Sequence, residues 1–291
     1  MVLCASDRML TAGDIEFEPP QTKIYPLTNS ILVLVAGDAA AQHSISATAN
    51  RQMAASGSLL VRDGAEIYAN AFAEYRKRRN ERAILAPLGL DLQAFIANQK
   101  SMLPEIAARI TRDLTLDDLE IAGIVAGVDD HGAHVYVIRD PGQPICHDSI
   151  GFASIGIGSG HAESQFMFAG YQKRESLPNA LMLLYRAKKR AEVAPGVGTD
   201  TDIYSVSRTG WVAAEEMWTD KLHEIYQVAR QREDDSWTVA STAFNDFTVE
   251  VLLERERQQR EAATATDGTQ EGQGLDQEGV SGDPEEGEPQ D

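Results

Sequence analysis

Side chains that could ligate a metal or attack a carbonyl are few and scattered in this chain. There are two cysteines, Cys4 and Cys146, and six histidines. Asp129, Asp130, His131 and His134 form the densest group of ligand types. They straddle a turn between two apolar runs, where Asp and His are common, so turn chemistry explains them without a metal. Cys146-His147-Asp148 has no second partner at ligand spacing. Gly156, Gly158 and Gly160 around Ser159 lie at a strand-to-helix junction, where a phosphate could be cradled. His161, however, stands where a dinucleotide fingerprint needs glycine, and no Gly-Lys-Ser/Thr follows. Neither a cofactor nor a metal is expected.

The composition is that of a water-exposed globular chain, 43% hydrophobic and 24% charged. The net charge of −19 is unevenly placed. Residues 261–291 hold ten acidic and no basic side chains, leaving −9 for the rest. A body this acidic argues against nucleic acid, whose phosphates call for clustered Lys and Arg. The run Arg76-Lys77-Arg78-Arg79 falls in a helical pattern and reads as a solvated face. Two cysteines make no disulfide framework, and with no signal peptide a reducing cytoplasm is expected. No apolar run approaches the roughly 18 residues that span a bilayer.

The elements that must position any site follow from periodicity. Residues 2–5 read as a buried strand, and 24–25 with 30–36 as a hairpin. Asp38 can cap a helix that starts at Ala39 and breaks at 57–62. Helices are expected over 65–80, from 92 to about 102, and over 104–112. Strands are expected over 121–127 and 133–138, joined by a tight turn, and over 152–157. Two helices (161–171 and 177–193) then precede a strand at 201–206. In the second of them Lys188, Lys189 and Arg190 lie outside the apolar stripe. Residues 211–232 and 244–261 read as two further helices. Residues 261–291 are Gly-, Glu- and Gln-rich and should be disordered. Runs of strands separated by helix pairs fit an α+β layered fold.

The start of the chain narrows this. Ala5, Asp7, Thr11 and Gly13, followed by Lys23 ahead of an apolar strand, resemble the proteasome β subunit and its bacterial relatives without a gap. Gly37 after the second strand falls on the same register, and Gly158-Ser159-Gly160 after a later strand matches the family's Gly-Ser-Gly. The resemblance implies the four-layer αββα sandwich of the N-terminal-nucleophile (Ntn) hydrolases over residues 1–208. It leaves 209–260 as a helical extension and 261–291 as an acidic tail. In that family the nucleophile is a threonine with a free α-amine, one strand and a turn ahead of Asp7. That segment does not occur in the sequence, and a start further upstream is expected. An open sheet edge would remain without it.

By the same resemblance, Lys23 lowers the potential beside the nucleophile and Asp7 pairs with it. Gly37 offers its N–H to the oxyanion, and Ser159 bonds near the α-amine. Thr11 and Val35 belong to the substrate pocket. Glu192 stands where the family has an aspartate, and Pro195 where it has a serine, so this polar support is altered. Cys4 is a nucleophile type, but it lies three residues before Asp7, too near for that role, and reads as a buried strand thiol. The implied function is a threonine-type endopeptidase acting on unfolded polypeptide, in a homo-oligomeric ring or stack, with an ATP-driven unfoldase as a possible partner. The alternatives are a non-catalytic member of the family kept for assembly, and an amide hydrolase of the same fold acting on a small molecule.

Overall fold

A computed structural model describes residues 1–12, 15–116 and 119–270. Its centre is a five-stranded antiparallel sheet in the order β4-β5-β6-β7-β8, comprising Ile24–Thr28, Ile31–Ala36, Ala122–Asp129, Gly132–Arg139 and Gln143–Cys146. β5 reads ILVLVA, and its period of two divides the core. Ile31, Val33 and Val35 enter one cluster with helices α1 (Ala39–Ser56) and α2 (Val61–Asn80). Leu32 and Leu34 enter a second cluster with Cys4 and Val206 of another sheet. The register carries the division across the ladder, with Leu34 opposite Ile124 and Ile124 opposite Val137. A one-residue slip would exchange the two faces.

The other sheet has the order β1-β9-β10, from Val2–Ser6, Asp202–Ser207 and Gly210–Ala213. On its far side Ala5 and Ile203 pack with Tyr185 of α6 (Leu177–Ala191) and Leu222 of α7 (Glu216–Gln270). β2 (Leu10–Ala12) and β3 (Ile15–Phe17) form a separate small hairpin. A satellite cluster of Leu85, Phe95 and Ile110 joins a π-helical turn at Glu81–Leu85, α3 (Leu92–Asn98) and α4 (Pro104–Leu116). α5 (Ser159–Phe168) lies against α6, and the two come close at Gly158, where an added Cβ would sit 2.8 Å from that of Ala191.

Caps explain several ends. Asp38 accepts from the amides of Ala40 and Ala41 and opens α1, which Gly57 closes in the left-handed region. α2 has no local side-chain cap. Its first amide, Val61, instead donates to Asp129 at the end of β6, at 3.0 Å.

Four expectations are corrected. Residues 152–157 form no strand: Ala153 and Ile155 pack on the inter-sheet core, while the Ser154 carbonyl accepts from Arg139 rather than from a ladder. The fifth place in the sheet belongs to β8, which contains Pro144 and is tolerated because it is an edge strand. Trp211 lies in β10, and the expected pair of C-terminal helices is the single α7, since no Gly or Pro interrupts residues 216–262. α7 also takes in residues 261–270 of the expected disordered tail, while 271–291 and Gly13 lie outside the described residues. Lys188 is buried, not outward-facing. Contacts divide the chain into two units, residues 1–226 and 227–291. Among the described residues no helix is long and apolar enough to cross a membrane.

Candidate functional site

β1 ends at Ser6 and β4 begins at Ile24, so Asp7 and Lys23 stand at the same end of the two sheets that pack on one another. The Lys23 ammonium donates to Asp7 Oδ1 at 2.6 Å, and the Met9 amide donates to the same oxygen at 2.7 Å. Both side chains are about four-fifths buried, at 22% and 19% exposure. The Lys23 carbonyl accepts from the amide of Val35 at 3.0 Å, which ties the lysine to β5.

Gly37 follows β5 at φ +102°. A Cβ there would lie 2.3 Å from the Glu120 carbonyl oxygen, so both conformation and space require glycine. Gln42, 1% exposed, pins the turn from α1: its amide donates to the carbonyls of Ala36 and Ala122 at 2.9 and 3.0 Å and accepts from the Tyr68 hydroxyl at 2.7 Å. Ser159 is the first residue of α5. Its amide donates to Gly156, and its carbonyl accepts from Ser154 Oγ, which also reaches Glu163.

These residues share one cleft of about 1780 Å³. Asp7, Thr11, Lys23, Val35, Gly37 and Ser159 all line it. Val35 also belongs to the helix-side core, so only part of its surface faces the cleft. Glu192 is not among the lining residues. It caps the C-terminal end of α6, where Lys188 and Lys189 hold its Oε1 at 2.5 and 2.8 Å.

Lys188 is the residue that sequence reasoning missed. It lines the same cleft and is 7% exposed. Its ammonium donates to Glu192, to the Gly198 carbonyl at 2.8 Å and to the Thr199 carbonyl at 3.1 Å. Burial lowers its pKa below the usual lysine value; Glu192, and more weakly Asp7, oppose that shift. The available signal was Glu192 four residues on, at the spacing of a helical ion pair.

The other candidates fall elsewhere. His134 sits between two carboxylates, Asp148 at 2.6 Å and Asp129 at 3.3 Å. His131 follows Asp129 in the β6–β7 turn, and its amide donates to Asp129 Oδ1. Cys146 ends β8, exposed. Cys4 is buried in β1, and burial pushes its thiol up to about 12, which leaves it protonated and inert as a nucleophile at neutral pH.

In chemical terms the cleft offers the Lys23 ammonium with its Asp7 partner, a second ammonium at Lys188 already bound to Glu192 and two carbonyls, a glycine turn and a helix N-terminus at Ser159. That set suits stabilising negative charge on a reacting oxygen. No known family model matches the chain, and the curated proteins contain no match to it.

Proposed function

We propose that this chain is a proteasome-like subunit of the Ntn hydrolases, a threonine-type endopeptidase that cuts unfolded polypeptide. The observation that carries the reading is the Lys23–Asp7 pair at 2.6 Å in a cleft shared with Gly37 and Ser159. The succession of α1 and α2, the five-stranded sheet, the three-stranded sheet, and α6 with the start of α7 supports assignment to the four-layer αββα sandwich. Among the described residues β1 pairs only with β9, so its other edge has room for the strand that carries the nucleophile in this family.

In the proposed reaction a threonine hydroxyl, expected ahead of Met1, adds to the scissile carbonyl carbon. Its proton passes to its own α-amine. The Gly37 N–H holds the oxyanion, and the Lys23 ammonium, fixed by Asp7, favours the alkoxide. Collapse breaks the C–N bond, the amine leaves with that proton, and water then hydrolyses the acyl ester. A self-assembled ring or stack, served by an ATP-driven unfoldase, is the proposed setting. The test is N-terminal sequencing and intact mass of the protein from its native cell, with and without a threonine-directed covalent inhibitor. An adduct on an N-terminal Thr is expected; a mature chain that begins at Met1 or Val2 and takes up no inhibitor sinks the reading.

A second reading rests on a specific observation. Glu192, which does not line the cleft, is engaged by two lysines, and Pro195 has no hydroxyl to give. Both favour an assembly subunit without activity, for which the same experiment gives a folded oligomer and no adduct.

A further inference from the structure

The second unit poses a problem of coverage. Among side chains described from 227 to 262 none is buried, although Trp237, Phe244 and Phe247 are large and apolar, with 68%, 70% and 58% exposure. A lone helix is marginal in water, so such a face calls for a partner. The apolar positions Trp237, Ala240, Phe244, Phe247 and Val251 are spaced three and four apart in strict alternation, the heptad seam of a coiled coil.

We propose that α7 pairs antiparallel with the same segment of a second copy of this chain along that seam. Charge decides both the occupant and the direction. Continued outward, the seam positions are Arg230 and Glu233 on one side and Glu254, Gln258 and Glu261 on the other. A parallel pair would set Arg230 on Arg230, Glu233 on Glu233, Glu254 on Glu254 and Glu261 on Glu261, four like-charge layers. An antiparallel pair centred between Asn245 and Asp246 sets Arg230 against Glu261 of the second copy and Glu233 against Gln258. Phe244 then meets Phe247 twice at the centre, and Ala240 meets Val251, a small side chain facing a larger one. Trp237 falls opposite Glu254, which can accept from its indole N–H. Beside the seam, Asp234 faces Arg255, again twice by symmetry. One sequence thus complements itself when reversed and repels itself when parallel. Val239, Val249 and Leu253 fall outside the seam and are not covered by this pairing.

Disulfide trapping of the full chain reads the direction. In a Cys146→Ser background, which removes the exposed thiol, Ala240→Cys and Val251→Cys chains are mixed and oxidised. Cross-linking between the two different variants is expected. Ala240→Cys alone should not cross-link to itself, because antiparallel copies hold those positions about 16 Å apart. A disulfide in Ala240→Cys alone, or none in the mixture, overturns the proposal. A charge swap gives a second readout that needs no new thiol. Asp234→Arg should weaken self-association on the order of tenfold, and adding Arg255→Asp should restore it. Failure of the double variant to regain association would equally refute the pairing.

Discussion

Two lysines on the wall of one cleft do different work with the same chemistry. Lys23 and Lys188 each face a carboxylate within 2.6 Å. Lys188 spends its three donors on Glu192 and two backbone carbonyls, and its side chain is 6% exposed. Those bonds join the end of α6 to the segment that leads into β9, so Lys188 holds structure together. Lys23 makes one described side-chain bond, to Asp7, and remains 22% exposed towards the cleft. An ammonium carries three donors, so Lys23 retains capacity for a ligand that Lys188 has already given to the fold. The difference teaches where reactive capacity lies: in the charge that is held but not saturated.

The largest expected effect breaks the saturated member. Lys188→Met should cost about 3 kcal/mol, because it takes the buried ammonium from a mostly buried Glu192, which keeps only Lys189, and removes the Lys188 donor from the Gly198 and Thr199 carbonyls. For a folded unit of this size that corresponds to a fall of roughly 10 °C in Tm, read by thermal melting. An unchanged melt would erase the distinction between the two lysines.

Lys23→Met should split the readouts. Its partly exposed pair contributes no more than about 1 kcal/mol to stability. Under the proposed chemistry, loss of the ammonium should lower peptidase turnover on the order of 100-fold or more, with KM little changed. A variant that loses stability but not turnover would place Lys23 beside Lys188 as a structural residue. Glu192→Gln sharpens the same division from the carboxylate side. It should cost about 1–2 kcal/mol in urea unfolding, since two ammonium groups then face a neutral amide, and leave turnover nearly untouched.

Much of this was legible in the sequence, for reasons that differ by residue. β5 and β6 were readable because their runs of β-branched and apolar residues are buried on both faces and leave no other option. Gly37 was readable through the family register counted from Lys23, and the structure supplies the physical reason, a positive φ that admits little else. The Asp7–Lys23 contact was legible only through the spacing of the family pattern, as nothing local links residues 16 apart. Lys188 was hidden in a basic triplet, where helical period alone cannot say which lysine turns inward. Residues 152–157 misled because their apolar pattern is satisfied by packing against the core without a ladder, while β8 was masked by the proline that an edge strand accepts. α7 was split in two by the polar residues near 233–236, which solvate an exposed helix as readily as they end one.

The smallest effect concerns a third ionic group, built around Asp129 and Asp148. Burial works against ionisation of Asp129, but hydrogen bonds from the Val61 and His131 amides and the nearby His134 outweigh it and hold its pKa below the usual carboxylate value. Burial likewise opposes ionisation of Asp148, and its bonds from His134 and the Val135 amide prevail. A carboxylate whose pKa is lower folded than unfolded adds stability that is fully present above the unfolded value, about 3.9, and is lost as pH falls through the folded one. Asp129→Asn keeps an oxygen for the Val61 amide and removes the charge. The variant should therefore be less stable than the parent by about 1 kcal/mol at pH 7, with the gap closing as pH falls below about 4. Urea unfolding of both proteins at pH 7, 4 and 3 measures this. A gap for Asp129→Asn that stays constant with pH would mean that the carboxylate caps α2 through geometry alone, with its charge contributing nothing.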